Sequence, residues 1–150
     1  MGIRHWASDM GQLTATAIVT AVLAQVCLLI HYEALRLISR VLPALSIAPR
    51  RKILLMLNMA LLAHVCEIII YAAGFALLLE SDSAAGTLTD VFDQAIYISL
   101  ESYASLGTSS GFPVGPLRLL AGSEALAGLL LIGWTASYTY LAMSNLWDQH

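Results

Sequence analysis

Residues 91–116, VFDQAIYISLESYASLGTSSGFPVGP, decide how the rest of the chain is read. They lie between two apolar runs, 53–79 and 117–143, each long enough to cross a bilayer, and are themselves too short and too polar to cross one. The pattern predicts a re-entrant segment: a half-helix over 91–104, then an extended, turn-forming piece over 105–116. Backbone without helical hydrogen bonds is tolerated at membrane depth only where it is buried in protein or lines a water-filled path.

Composition supports a membrane setting. The 150 residues are 59% hydrophobic and 11% charged, with a mean hydropathy of +0.77, against about a quarter charged in soluble domains. At roughly 20 apolar residues per span, there is room for three spans and no separate soluble domain. Cys27 and Cys66 both fall inside apolar runs and read as packing residues rather than a disulfide or a metal pair.

The preceding span, 53–79, contains Asn58, His64 and Glu67. His64 and Glu67 are three apart and share a helical face. They read as a mutually satisfied contact, with a pH-responsive pair as the alternative. The following span, 117–143, carries Gly122, Gly128 and Gly133. Gly133 is a candidate hinge and equally a packing contact, and Tyr138, Tyr140 and Trp147 mark an interface. Glu124, about two turns into this helix, is expected to bond to the re-entrant segment, with a role facing an ion as the alternative. Asp90 reads as the N-cap of the half-helix and Asp93 as a first-turn acid. This points the partially negative end of the half-helix into the membrane, a cation-stabilising arrangement.

The first apolar run, 13–30, predicts a transmembrane helix after a short tail, 1–12; a signal peptide fits poorly because no small-residue cleavage pattern follows. Residues 32–52 read either as an amphipathic helix on the inner membrane surface, broken by Pro43 and Pro49, or as a plain basic loop. Five of the seven basic residues (Arg36, Arg40, Arg50, Arg51, Lys52) cluster there, whereas Glu80, Asp82, Asp90 and Asp93 precede and begin the re-entrant segment. The positive-inside rule then places the N-terminus and the re-entrant segment outside and the C-terminus in the cytoplasm. His31 and Glu33 are read as interfacial, and metal or redox chemistry is not expected.

Residues 97–110, YISLESYASLGTSS, resemble the pore helix and selectivity filter of the tetrameric potassium-channel superfamily. The family pattern has a pore helix with an internal Glu in some members, then T-V-G-Y-G-D, then an inner helix with a hinge glycine. On that pattern Glu101 matches the pore-helix Glu, Ser105 the threonine, Leu106 the valine and Gly107 the first glycine. The resemblance covers more than half of the chain and implies an outer helix at 53–79, a pore helix at 91–104, a filter at 105–111 and an inner helix at 117–146, forming a pore domain over 53–150. Residues 1–52 supply an extra N-terminal helix and the basic segment. The implied fold is an all-α membrane protein with three transmembrane helices plus one re-entrant pore half-helix and filter loop per subunit, potassium-channel-like in its pore.

Thr108, Ser109 and Ser110 depart from the pattern, standing where the family has Tyr or Phe, the second glycine and Asp. Filter carbonyls replace the hydration shell of the ion, and aiming them inward needs positive φ, which non-glycine residues resist by roughly 1–2 kcal/mol. The resemblance therefore implies a homotetrameric channel in the cell (inner) membrane that passes monovalent cations, K+ and Na+, with weak selectivity. Its ion-binding strip is Ser105 to Ser110, supported by Glu101 and Glu124; His64, Glu67 and Gly133 are candidate gating or pH-sensing residues. No cofactor, nucleic-acid partner or metal beyond permeant ions is expected. A non-conducting or differently selective pore-fold protein, for anions or protons, is the alternative. Gly107 to Gly111 also fits G-x-S-x-G, but a hydrolase elbow needs a strand-turn-helix with Asp and His partners following in the chain. Here a half-helix precedes the motif, a membrane span follows and the only downstream His is His150, so a membrane serine hydrolase is the remote alternative and enzymatic activity is not expected.

Overall fold

The computed structural model describes residues 2–80, 88–107, 113 and 115–147. They form four helices, α1 (Gly2–Ala44), α2 (Pro49–Glu80), α3 (Leu88–Tyr103) and α4 (Pro116–Trp147), with no strand among the described residues. Three of the helices contain stretches long and apolar enough to cross a membrane: Met10–Ala44, Pro49–Leu79 and Leu117–Asn145. Most of each stretch faces outward. Leu54, Leu57, Leu61 and Leu62 on α2 and Leu126, Leu129, Leu130 and Ile132 on α4 are all exposed, a surface suited to hydrocarbon rather than water.

α2 and α4 each pack against all three other helices, while α1 and α3 do not approach each other directly. Two apolar clusters hold the bundle. One joins Cys27 of α1, Tyr71 and Phe75 of α2, Ala95 and Ile98 of α3, and Leu120 and Leu131 of α4. The other joins Leu35, Ile38 and Leu42 of α1 to Met56 of α2, with Tyr138, Ala142 and Met143 of α4 against them. The residue order in the clusters shows that α1 and α4 run parallel and α2 antiparallel to both. α3 accompanies only the C-terminal half of α2.

The expected boundary between a span and a surface helix in α1 is not present. α1 is one helix of 43 residues, about 64 Å long, and the tail read over 1–12 belongs to it from Gly2. The apolar stripe of Leu35, Ile38 and Leu42 faces α2 and α4 instead of a lipid surface. Pro43 does not break the helix early, because it sits in the last turn; the chain leaves at Ala44 with Leu45 N–H donating to the Leu42 carbonyl at 3.3 Å. The loop is thereby reduced to residues 45–48, none of them basic; Arg36 and Arg40 belong to α1 and Arg50, Arg51 and Lys52 to the first turn of α2. α2 begins at Pro49, the first-turn position where a missing N–H costs nothing, and Arg51 N–H donates to the Ala48 carbonyl at 2.9 Å. Arg36 lies on the exposed side of α1, paired with Glu33 at 2.9 Å.

Asp90 is a first-turn residue of α3 rather than its N-cap, since the helix starts at Leu88. Cys27 is a buried packing residue, whereas Cys66 faces outward, and both thiols are free. α4 runs unbroken through Gly133. A Cβ built at Gly133 meets nothing, while one at Gly128 collides with the Tyr103 backbone, whose carbonyl carbon lies 3.1 Å from it. Close approach of the α3 end to α4 thus requires Gly128. Gly128→Ala is expected to destabilise the protein by about 1–3 kcal/mol, read as a lowered melting temperature in detergent, and Gly133→Ala is expected to leave it nearly unchanged.

Candidate functional site

Between the two apolar clusters lies a layer of polar side chains drawn from all four helices. Glu67 of α2 is at its centre and fully buried. Its Oε1 lies 2.9 Å from His31 Nδ1 of α1, and its Oε2 lies 3.2 Å from His64 Nδ1, one turn earlier on α2. The Tyr103 hydroxyl, at the last residue of α3, donates to the same Oε2 and lies 2.6 Å from His64 Nδ1. On the far side of both imidazoles, Thr135 Oγ1 of α4 is 3.1 Å from His31 Nε2 and 3.0 Å from His64 Nε2. The two rings stand 5.1 Å apart at their centroids, and Trp134 leans over His31 at 5.6 Å.

The layer explains itself physically. An isolated carboxylate in an apolar interior costs several kcal/mol, and Glu67 is tolerated because polar groups from three helices, His31 Nδ1, His64 Nδ1 and the Tyr103 hydroxyl, converge on it. Among the described residues, His31, His64 and Glu67 also form the one group of His, Cys, Asp and Glu side chains whose ligand atoms, all within 4.8 Å of one another, could share an ion.

The interfacial role expected of His31 is overturned: its side chain is wholly buried and bonds to Glu67, while Glu33 remains exposed and pairs with Arg36. His64 and Glu67 do meet, as two members of a five-residue network rather than a self-contained pair. Spacing could not reveal His31, Tyr103 or Thr135 as partners. The signal in the sequence is the position of His31, four residues after Cys27 and four before Leu35, which puts it on the same helical face as two apolar residues.

A second polar contact ties α3 to its neighbours. Ser99 Oγ lies 2.5 Å from Glu124 Oε1 and 2.8 Å from the Ile68 carbonyl. Glu124 is fully buried, and its Oε2 has no hydrogen-bond partner among the described residues. Glu101 is also buried.

The end of α3 has the geometry of a Schellman cap. Leu106 N–H donates to the Glu101 carbonyl and Ser105 N–H to the Ser102 carbonyl, each at 2.9 Å. The closure puts Ser105 at φ 54° and is followed by Gly107 at φ 77°. Positive φ at Gly107 is the freedom glycine supplies; at Ser105 it is a cost the cap offsets. Ser105, Leu106 and Gly107 are exposed on the single chain, Leu106 at 78%. Thr108, Ser109 and Ser110, and with them the G-x-S-x-G serine, lie outside the described residues.

No protein-family model, curated protein or solved structure matches this chain.

Removing the Glu67 carboxylate strands three buried polar partners, whereas removing the Tyr103 hydroxyl leaves the two imidazoles on Glu67. Glu67→Ala is expected to destabilise by about 3–5 kcal/mol and Tyr103→Phe by about 1–3 kcal/mol, an ordering that thermal unfolding in detergent would check.

Proposed function

We propose that this chain is the subunit of a membrane cation pore, with α3 as a re-entrant pore helix and residues 105–110 as the ion-contacting strip. The observation that carries the reading is the placement of the α3 end. α3 has 16 residues, about 24 Å of helix, and its last residue touches His64 and Glu67, which lie near the middle of the apolar stretch of α2. A helix that penetrates halfway and turns back through positive-φ residues is the arrangement that brings backbone carbonyls to the centre of a bilayer. The partially negative C-terminal end of α3 favours a cation there.

One such loop cannot enclose a path, so the reading requires several copies; four is the number that the channel resemblance implies. The exposure of Ser105, Leu106 and Gly107 on the single chain supports a surface that other copies cover. The basic residues at the α1–α2 junction, Arg40, Arg50, Arg51 and Lys52, favour that end in the cytoplasm, with α3 entering from the opposite side. Selectivity between potassium and sodium is weak in this reading, because Ser109 replaces the glycine that would turn the upper carbonyls inward. The hydroxyls of Thr108, Ser109 and Ser110 then give a wetter mouth.

Purified protein in a planar bilayer, with potassium chloride on one side and equimolar sodium chloride on the other, is expected to reverse near zero. A superimposed chloride gradient should shift the reversal toward the cation equilibrium potential. Joint replacement Ser109→Gly and Ser110→Asp is expected to move the reversal toward that of potassium. If the native chain passed no current and the double variant did, the native protein would instead be a non-conducting member of the pore fold.

A further inference from the structure

We propose that His31, His64 and Glu67, with the Tyr103 hydroxyl, form a binding site for one divalent transition-metal ion of the zinc class. The site does not depend on the pore reading: it joins three helices of a single chain and needs no second copy.

Both imidazoles turn Nδ1 toward Glu67 and Nε2 toward Thr135. This is the layout of metal-ligating histidines, in which one nitrogen faces the ion and the other donates to an acceptor that fixes the ring. A hydroxyl oxygen has two lone pairs, so Thr135 Oγ1 can accept from both Nε2–H groups at once.

Proton counting makes the same point. If both neutral rings carry their proton at Nδ1 for Glu67, both Nε2 lone pairs face Thr135, whose single hydroxyl proton serves one of them. If His31 carries its proton at Nε2, its bare Nδ1 faces the carboxylate. The neutral arrangement that pairs every ring nitrogen, with His31 protonated at Nδ1, His64 at Nε2 and the Tyr103 hydroxyl donating to His64 Nδ1, takes the Tyr103 proton away from Glu67 Oε2. An ion bound at both Nδ1 atoms removes the conflict: both protons move to Nε2, both donate to Thr135, and the buried carboxylate gains a cation.

The donor set suits the ion. Two imidazole nitrogens with carboxylate and phenol oxygens make an N2O2 set, fitting zinc or cobalt better than calcium or magnesium. In a tetrahedral site with bonds of about 2.0–2.1 Å, neighbouring ligand atoms stand about 3.3 Å apart. The Nδ1 to carboxylate distances, 2.9 Å to Oε1 and 3.2 Å to Oε2, need a slight outward shift, and the Tyr103 hydroxyl, 2.6 Å from His64 Nδ1, must withdraw further, by about 0.7 Å, through side-chain rotation. His64, 15% exposed where His31 and Glu67 are fully enclosed, is the side from which an ion enters. With four protein ligands no coordination position stays open, so the ion is structural, clamping the α3 end to α1 and α2.

The test uses the full chain in detergent, stripped with a chelator, then titrated with Zn2+ by calorimetry and with Co2+ by visible absorption. One ion per chain, together with the intense d–d bands of tetrahedral cobalt, is the expected result. The other two histidines, His5 and His150, are removed as a control: His5→Ala/His150→Ala should bind unchanged, while His64→Asn in that background should bind about 100-fold more weakly or not at all. Retention of the weak octahedral spectrum of aqueous cobalt by the native chain would overturn the proposal, as would loss of binding in the His5→Ala/His150→Ala control. Should His64→Asn fail to fold, the native spectrum and the control still decide, since neither touches the buried layer.

Discussion

A single carboxylate, that of Glu67, sits where α1, α2 and α3 converge, and the bundle's arrangement follows from having to satisfy it. Burial without partners would cost more than one or two apolar contacts return, so His31, His64 and Tyr103 must all arrive at the same height. Thr135 then fixes the two rings from the α4 side. The apolar clusters on either side supply most of the burial, but apolar side chains tolerate sliding in register. The polar layer does not, because a shift of one residue would carry its donors out of reach.

α3 depends on that layer more than any other element. It is the shortest helix and does not approach α1 directly. Tyr103 on Glu67 and His64, Ser99 on Glu124 and the Ile68 carbonyl, and the close approach at Gly128 hold it in place. Each contact falls in its C-terminal half, so the turn through Ser105 to Gly107 leaves from a firmly held point. In the pore reading the ion-contacting strip inherits its position from this anchorage, and a metal ion at His31, His64 and Glu67 would tighten the same anchorage further.

The outer surface obeys a different constraint. Leucines and isoleucines ring α2 and α4 on their exposed sides, so helical amphipathicity, the usual guide to a core, is absent from these two helices. Where both faces of a helix are apolar, hydrophobicity cannot say which face meets protein and which meets lipid. Polar and small residues mark the protein side instead: Glu67, His64, Glu124, Gly128 and Thr135 all turn inward.

Much of the fold was legible in the sequence because it rests on local properties. Three apolar runs and a polar interruption at 91–116 follow from composition and spacing, and a helix stands at each run and over Leu88–Tyr103, with boundaries moved by a few residues except in α1, which runs over Gly2–Ala44 where 13–30 was expected. The break expected in α1 does not occur, because Leu35, Ile38 and Leu42, on the face away from Arg36 and Arg40, pack into the bundle rather than onto a membrane surface. The i, i+3 pairing of His64 with Glu67 was also readable, since both lie on one helix. The tertiary structure alone decided which residues from other helices complete that pair. His31 is 36 residues from Glu67, and Thr135 is 104 from His31. Periodicity fixes the face a residue occupies on its own helix, but the rotation and height of one helix against another are set by packing across the whole interface, and only those determine which polar groups meet.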